Sequence, residues 1–266
     1  MYAFDYVKPA TVADAVAALG REDAQPIAGG QTLIPTLKAR LAQPSVLVDL
    51  TGIAEMKGIC EKGAAIAVGA ATTHGALQHD PLVRAKIPAL AALAGHVGDP
   101  QVRNRGTVGG SLANNDPAAC YPAAALALGA TLHTSSGRAI GADDYFQGMF
   151  DTALEEGELL VWVDFPVPGR AAYEKFEQPA SRFAMVGVFV AEAPGGPRVA
   201  VTGAGEAGVF RWAEAEAALA GSFTAEAVAG LTHPADGLIG DLHATPAYRA
   251  HLIGVLTKRA VAKATG

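Results

Sequence analysis

The chain has 266 residues, of which 50% are hydrophobic and 17% charged, with a formal net charge of −6. This excludes wholesale disorder, leaves ample material for one large core or two modest ones, and argues against nucleic-acid binding. Two cysteines, Cys60 and Cys120, with no CxxC pattern, are too few for a structural zinc site or an iron–sulfur cluster, so no metal site is expected. They fit a reducing cytoplasm. The uncharged stretch 117–137 is broken by Pro122 and Gly129. Its helical part would be about 18 Å long against a hydrocarbon core of about 30 Å, so no membrane span is expected. The first residues show no basic and apolar pattern, so no secretory signal is expected.

Thr11 is a good N-cap for a helix with Val12, Ala15, Val16 and Leu19 on one face, and Gly20 is its stop. Residues 25–28 read as a short buried strand that runs into Gly29-Gly30-Gln31-Thr32. A helix is predicted over 33–41, with Pro35 in its first turn, and a strand over 46–50. This is a strand–helix–strand unit with its glycines at the strand-to-helix turn. Further on, a strand is predicted over 64–70 and helices over 73–78 and 87–94. A glycine-rich loop follows over 95–115, then a helix over 118–128 capped by Asp116, and strands over 130–134 and 159–165. Pro166, Pro168 and Gly169 place a domain boundary near 170. Beyond it, strands are predicted over 183–191 and 199–202, and helices over 212–220 and 225–229. A final helix follows the Thr245 cap and Pro246, with Lys258, Arg259 and Lys263 near its end.

Two glycine loops carry chemistry. In Ala28-Gly29-Gly30-Gln31-Thr32-Leu33, paired glycines at a strand-to-helix turn let backbone N–H groups approach an anion. The alternative is a tight turn without a ligand. The second loop, Arg105 to Pro117, joins a glycine-rich turn with Thr107, Ser111, Asn114, Asn115 and Asp116; its alternative is a turn before a capped helix. Neither is a Walker A loop or a GxGxxG fingerprint. Two nests without a lysine inside either suit a diphosphate that joins two sugar-linked groups, rather than a triphosphate with magnesium.

These residues resemble a known family. Ala28-Gly29-Gly30-Gln31-Thr32-Leu33-Ile34-Pro35-Thr36-Leu37-Lys38 is similar to the first flavin loop of the FAD-binding subunit of molybdenum hydroxylases, the group of the carbon monoxide and xanthine dehydrogenases. Asn104 to Ala113, with Asp116-Pro117-Ala118-Ala119, resembles the second flavin loop. Glu158-Leu159-Leu160 before Phe165-Pro166, Lys175-Phe176-Glu177, and Ala180-Ser181-Arg182-Phe183 also fit, as do Gly240 to Ala244 with Tyr248-Arg249.

The resemblance implies an α+β fold: a two-subdomain FAD-binding module of the vanillyl-alcohol oxidase-like (PCMH) type over 1–170, divided near 55, then a C-terminal domain over 171–266 with an antiparallel sheet and a helical bundle. It implies that residues 28–33 and 107–111 cradle the FAD diphosphate, mainly through backbone N–H groups. In the same reading Thr107, Gly109, Gly110, Ser111, Asn114 and Asp116 belong to the site, Leu160 packs near the adenine or ribose, and Lys175 or Glu177 fills a later position. Where many relatives carry an acid that binds a ribose hydroxyl, this chain has Cys120.

The implied role is electron transfer. A large partner subunit holds the molybdenum cofactor and a small one holds two [2Fe–2S] clusters; electrons pass through FAD to a quinone or NAD. The implied assembly is a dimer of heterotrimers, and a quinone acceptor would bring it to a membrane surface. No catalytic residue is required in this chain. His74 reads as structural, His96, Asp99 and Arg103 as a solvated or interface loop, and Trp162, Trp212 and Cys120 as core residues. Two other readings stand beside this one. A self-contained FAD oxidase of the same superfamily often attaches flavin to a His near the first loop, where this chain has Gln31. A non-catalytic module would be colourless.

Overall fold

The computed structural model describes residues 1–266. The chain opens with β1 (Asp5–Val7), α1 (Val12–Leu19), β2 (Ala24–Ile27), α2 (Leu33–Lys38) and β3 (Val46–Asp49). These strands form a parallel sheet in the order β1-β3-β2, which confirms the predicted strand–helix–strand unit. Thr11 caps α1 by accepting from the Asp14 N–H at 3.1 Å.

The middle of the chain comprises β4 (Ile59–Lys62), β5 (Ala65–Gly69), α3 (His74–His79), α4 (Pro81–Lys86), α5 (Pro88–Gly95), α6 (Pro100–Arg103), α7 (Val108–Asn114) and α8 (Tyr121–Leu128). It continues with β6 (Thr131–Thr134), β7 (Ala139–Gly141), α9 (Ala142–Tyr145), β8 (Phe146–Gly148), β9 (Asp151–Thr152) and β10 (Leu160–Pro166). An antiparallel sheet forms in the order β4-β5-β10-β6-β7.

Three expectations for this region change. The stretch 95–115 is not all loop, because Asp99 caps α6 through the Val102 N–H at 2.9 Å and Thr107 caps α7 through the Gly110 N–H at 3.1 Å. Asp116 does not cap the following helix. Its Oδ1 accepts from the Ala118 N–H at 2.8 Å in a local turn, and α8 begins only at Tyr121. A separate α4 forms because Asp80 accepts from Leu82 and Val83 while Pro81 takes the first helical position.

The last part holds β11 (Ala171–Glu177), β12 (Ala184–Ala193), β13 (Gly196–Thr202), β14 (Phe210–Arg211), α10 (Ala213–Gly221) and α11 (Pro246–Thr265). The four strands pair antiparallel in chain order. The helix predicted over 225–229 is a run of turns, and two helices rather than a bundle cover the sheet. β12 is buried on both sides, which explains its nearly continuous apolar run. Val186, Val188 and Val190 pack with α10 and α11, while Phe189 and Ala191 join the main core with α8. The expected α+β class holds.

A buried arginine ties α11 to this sheet. Arg249 is 3% exposed. It donates to the Met185 carbonyl at 2.5 Å, the Gly203 carbonyl at 2.8 Å and Asp241 Oδ2 at 2.7 Å. Asp241 in turn accepts from the His243 and Ala244 N–H groups. Arg249→Met keeps the apolar stem but leaves two carbonyls and a carboxylate without their donor. We expect it to cost about 2–4 kcal/mol, measured as a lower urea midpoint at unchanged m-value.

Candidate functional site: a cavity between two glycine loops

The first loop leaves β2 at Ile27 and enters α2 at Leu33. Gly30 sits at φ +70°, where glycine is the favoured residue. The chain therefore turns sharply, and the six backbone N–H groups of residues 28–33 donate to no protein atom. The Gln31 side chain bonds back to the Gly29 carbonyl at 3.1 Å and holds the turn. A run of free N–H groups at such a turn is a concavity suited to an anion.

The second loop reaches the same place from the middle of the chain. A Cβ on Gly29 would lie 2.3 Å from the Arg105 carbonyl oxygen and 2.6 Å from the Gly106 Cα. The two loops thus touch backbone to backbone. Gly109 is equally constrained, since a Cβ there would lie 2.4 Å from the Ala70 Cβ and 2.7 Å from its carbonyl oxygen. Gly110 differs: beyond the Thr107 hydroxyl at 2.8 Å, its Cβ would meet only the Ala28 Cβ, at 4.0 Å. It faces the first loop.

Four of the five N–H groups of residues 107–111 are already engaged, and that of Thr107 has no protein acceptor. Val108 donates to the Thr72 carbonyl, Gly109 to the Ala70 carbonyl, Gly110 to the Thr107 hydroxyl, and Ser111 to the Thr107 carbonyl. The expectation that residues 107–111 act mainly through backbone N–H groups is therefore narrowed. The side chains of Ser111 and Asn114, the Thr107 hydroxyl proton and the free Thr107 N–H are what this segment offers to a ligand.

Between the loops lies a cavity of about 830 Å³. Every residue predicted for the cofactor site lines it, namely Ala28 to Leu33, Thr107, Gly109, Gly110, Ser111, Asn114, Asp116, Leu160 and Lys175. Sequence reasoning missed further lining residues. They include Gln25, Pro26, Leu154 and Leu159, and Val97, Gly98, Arg182 and Phe183. The Lys175 ammonium donates to the His96 carbonyl at 2.8 Å, which fixes it beside that loop. Cys120 is buried yet lines the cavity, and burial pushes the adjoining Tyr173 hydroxyl well above its usual range, with Cys120 adding to the shift.

FAD fits these features. Its diphosphate needs several donors but few cations, and the first loop presents six free N–H groups. Its planar groups need apolar walls, which lining residues such as Leu154, Leu159, Leu160, Val97 and Phe183 provide. Glycine is required where the loops meet, because any Cβ there would strike backbone.

His74 sits beneath the junction. Its backbone N–H donates to the Gly106 carbonyl at 2.9 Å, and its ring stacks on Tyr121 with centroids 5.2 Å apart. A Cβ on Gly106 would lie 2.7 Å from His74 Nε2, and Nδ1 has no partner. Burial holds the imidazole down to about 4, with the Arg103 charge contributing, so it is a neutral wall at neutral pH. An unfolded histidine binds its proton near 6.5, so stability is full above that pH and falls as pH drops toward 4. We expect this group alone to remove up to about 3 kcal/mol across that window. Denaturant melts at pH 7.5 and 4.5 should show a shallower pH dependence in His74→Leu than in the natural chain.

Comparison with known proteins identifies the family. Residues 2–168 match the family model described as the FAD binding domain in molybdopterin dehydrogenase. Over 98% of its length the chain is 36% identical to the carbon monoxide dehydrogenase medium chain of Afipia carboxidovorans, covering 96% of that relative. It is 34% identical to the nicotine 6-hydroxylase medium subunit of Paenarthrobacter nicotinovorans, over 98% of this chain and 97% of that one. Among solved structures, the Cu,Mo-CO dehydrogenase in its cyanide-inactivated form superposes with a TM-score of 0.88 at 35% identity, covering 98% of this chain and 97% of that chain. Quinoline 2-oxidoreductase from Pseudomonas putida 86 superposes with a TM-score of 0.88 at 33% identity, over 99% and 97%. The chain therefore belongs to the FAD-binding subunits of the molybdenum hydroxylase family.

Proposed function

We propose that this chain is the flavin electron-transfer station of a multi-subunit molybdenum hydroxylase. A large partner subunit would hold the molybdenum cofactor and the substrate. A small partner would hold the [2Fe–2S] clusters, and the assembly would be a dimer of heterotrimers in the cytoplasm. Electrons would enter this chain from a cluster and leave to a quinone or NAD. The observation that carries the reading is the contact of the two glycine loops along one cavity large enough for a dinucleotide. The cysteine count supports the division of labour, since two thiols cannot build two clusters.

FAD supplies the redox chemistry when bound; the protein supplies its binding, orientation and surroundings. In this reading residues 28–33 hold the diphosphate with their backbone N–H groups, and Gly110 permits its close approach opposite Ala28. Thr107, Ser111, Asn114 and Asp116 supply side-chain contacts. Leu160 walls the adenine portion, and Lys175 with Phe183 borders the isoalloxazine. Residues 1–170, divided near 55, would form the flavin module, and 171–266 a C-terminal domain against it.

Purification of the full chain tests the reading. A yellow protein with acid-extractable FAD, inert toward aldehydes, purines and aromatic heterocycles, is expected. Oxidase turnover without partners, or a colourless protein that takes up no FAD, would overturn it. Gly110→Asp is expected to abolish flavin retention, because its carboxylate would meet the diphosphate. The ratio of flavin to protein absorbance, with circular dichroism to show folding, gives the measurement. A folded Gly110→Asp chain with full FAD would remove the second loop from the site.

A further inference from the structure

The turn between Asp116 and Cys120 lines the cavity, yet half of what holds it comes from the C-terminal sheet. Within the turn, Asp116 Oδ1 accepts from the Ala118 N–H at 2.8 Å, and the Ala119 N–H donates to the Asp116 carbonyl at 2.9 Å. From outside, the Gly203 N–H donates to the Pro117 carbonyl at 2.8 Å. The fully buried Thr202 hydroxyl lies 2.9 Å from the Pro117 carbonyl oxygen and 2.7 Å from that of Ala119. One proton is thus shared between two carbonyls of the cavity-lining turn.

The surroundings keep that hydroxyl in place. Opposite Thr202 in the strand register stands Gly187. A Cβ on Gly187 would lie 2.5 Å from the Tyr173 hydroxyl and 3.0 Å from Thr202 Cγ2. Glycine at 187 therefore lets Tyr173 and Thr202 pack side by side beneath Cys120 and Ala119.

We infer that Thr202 is a positioning residue for the cofactor site: its hydroxyl fixes the Pro117 and Ala119 carbonyls, and so the cavity wall from Asp116 to Cys120. The inference rests on FAD occupying this cavity. Valine at 202 keeps the shape but leaves the Ala119 carbonyl without a donor and the Pro117 carbonyl with the Gly203 N–H alone, so the turn relaxes away from the geometry the ligand requires. Coupling is reciprocal: a ligand that prefers the fixed turn must also strengthen the seam between turn and sheet.

The test titrates FAD into apoprotein of the full chain and follows flavin fluorescence. Thr202→Val is expected to raise the FAD Kd about five- to tenfold, as the loss of one hydrogen bond implies, and Thr202→Ser to restore it. Val190→Ala, a cavity in the second core away from the turn, should lower the melting temperature with the Kd unchanged. Natural affinity in Thr202→Val, or an equal loss in Val190→Ala, would overturn the role. Hydrogen exchange on the natural chain is a measurement that needs no variant to fold. FAD should slow exchange of the Gly203 amide and leave amides in the middle of β12 unchanged; no slowing at Gly203 would overturn it. A natural chain that binds no FAD would sink the functional reading and this role with it.

Discussion

Residue 29 has no room for a side chain, because the backbone of Arg105 and Gly106 occupies the place a Cβ would take. This contact joins the small parallel sheet to the middle of the chain at the point where both glycine loops turn. The close approaches continue away from the cavity. Gly109 rests on the Ala70 backbone, and a Cβ on Gly69 would lie 2.4 Å from the Met56 carbonyl oxygen. The Thr73–Thr107 bridge and the His74 amide bond to Gly106 close the gap between these points. The junction of the two loops and its support are thus backbone packed on backbone, and rotamer changes cannot repair an error there.

That geometry divides the work between the loops. The second loop uses the Val108 and Gly109 N–H groups to bind itself to the segment that follows β5, through the carbonyls of Thr72 and Ala70. It becomes a rigid wall with hydroxyls on its surface. The first loop turns at Gly30 and leaves its N–H groups free. An anionic ligand is then met by fixed dipoles rather than by mobile cations. Such an arrangement loses little entropy on binding, because the donors are already placed. Lys175 does not break the pattern, since its ammonium is tied to the His96 carbonyl.

Sequence reasoning reached the parts of this that depend on local chemistry. The β2–α2–β3 unit, the Thr11 and Thr245 caps and both glycine loops are written in short-range signals of turn and cap. It failed where tertiary contact decides. Gly109 and Gly110 argue against a helix by propensity, yet α7 forms because Thr107 caps it and Gly109 packs on Ala70. Asp116 had the right residue type for a cap, but its carboxylate closes a turn first. Strand β11 went unassigned because its burial follows no simple alternation, with Ala172 and Tyr173 buried in succession. Val97 lines the cavity from a loop, where apolar residues carry no periodic signal, and Phe183, predicted as the first residue of a strand, lines it from just before β12.

Helix α8 shows why the C-terminal sheet cannot be set apart from the cavity. Every one of its residues is buried, because it lies between the central core and β12 and β13. This accounts for the uncharged stretch that first had to be tested as a membrane span; no helix of the chain is long and apolar enough to cross one. A helix with no charged face must be oriented by its ends. At its C-terminal end, Arg198 of β13 donates to the Leu126 carbonyl at 2.6 Å, beside the Gly129 N–H that closes the last turn on the same oxygen at 3.2 Å. Ahead of its N-terminus, Thr202 at the end of the same strand and Gly203 just beyond it hold the turn that leads into the helix. One strand therefore grips the helix at both ends, and the cavity wall at Cys120 is the first residue beyond that grip. The sheet sets the helix, and the helix sets the wall.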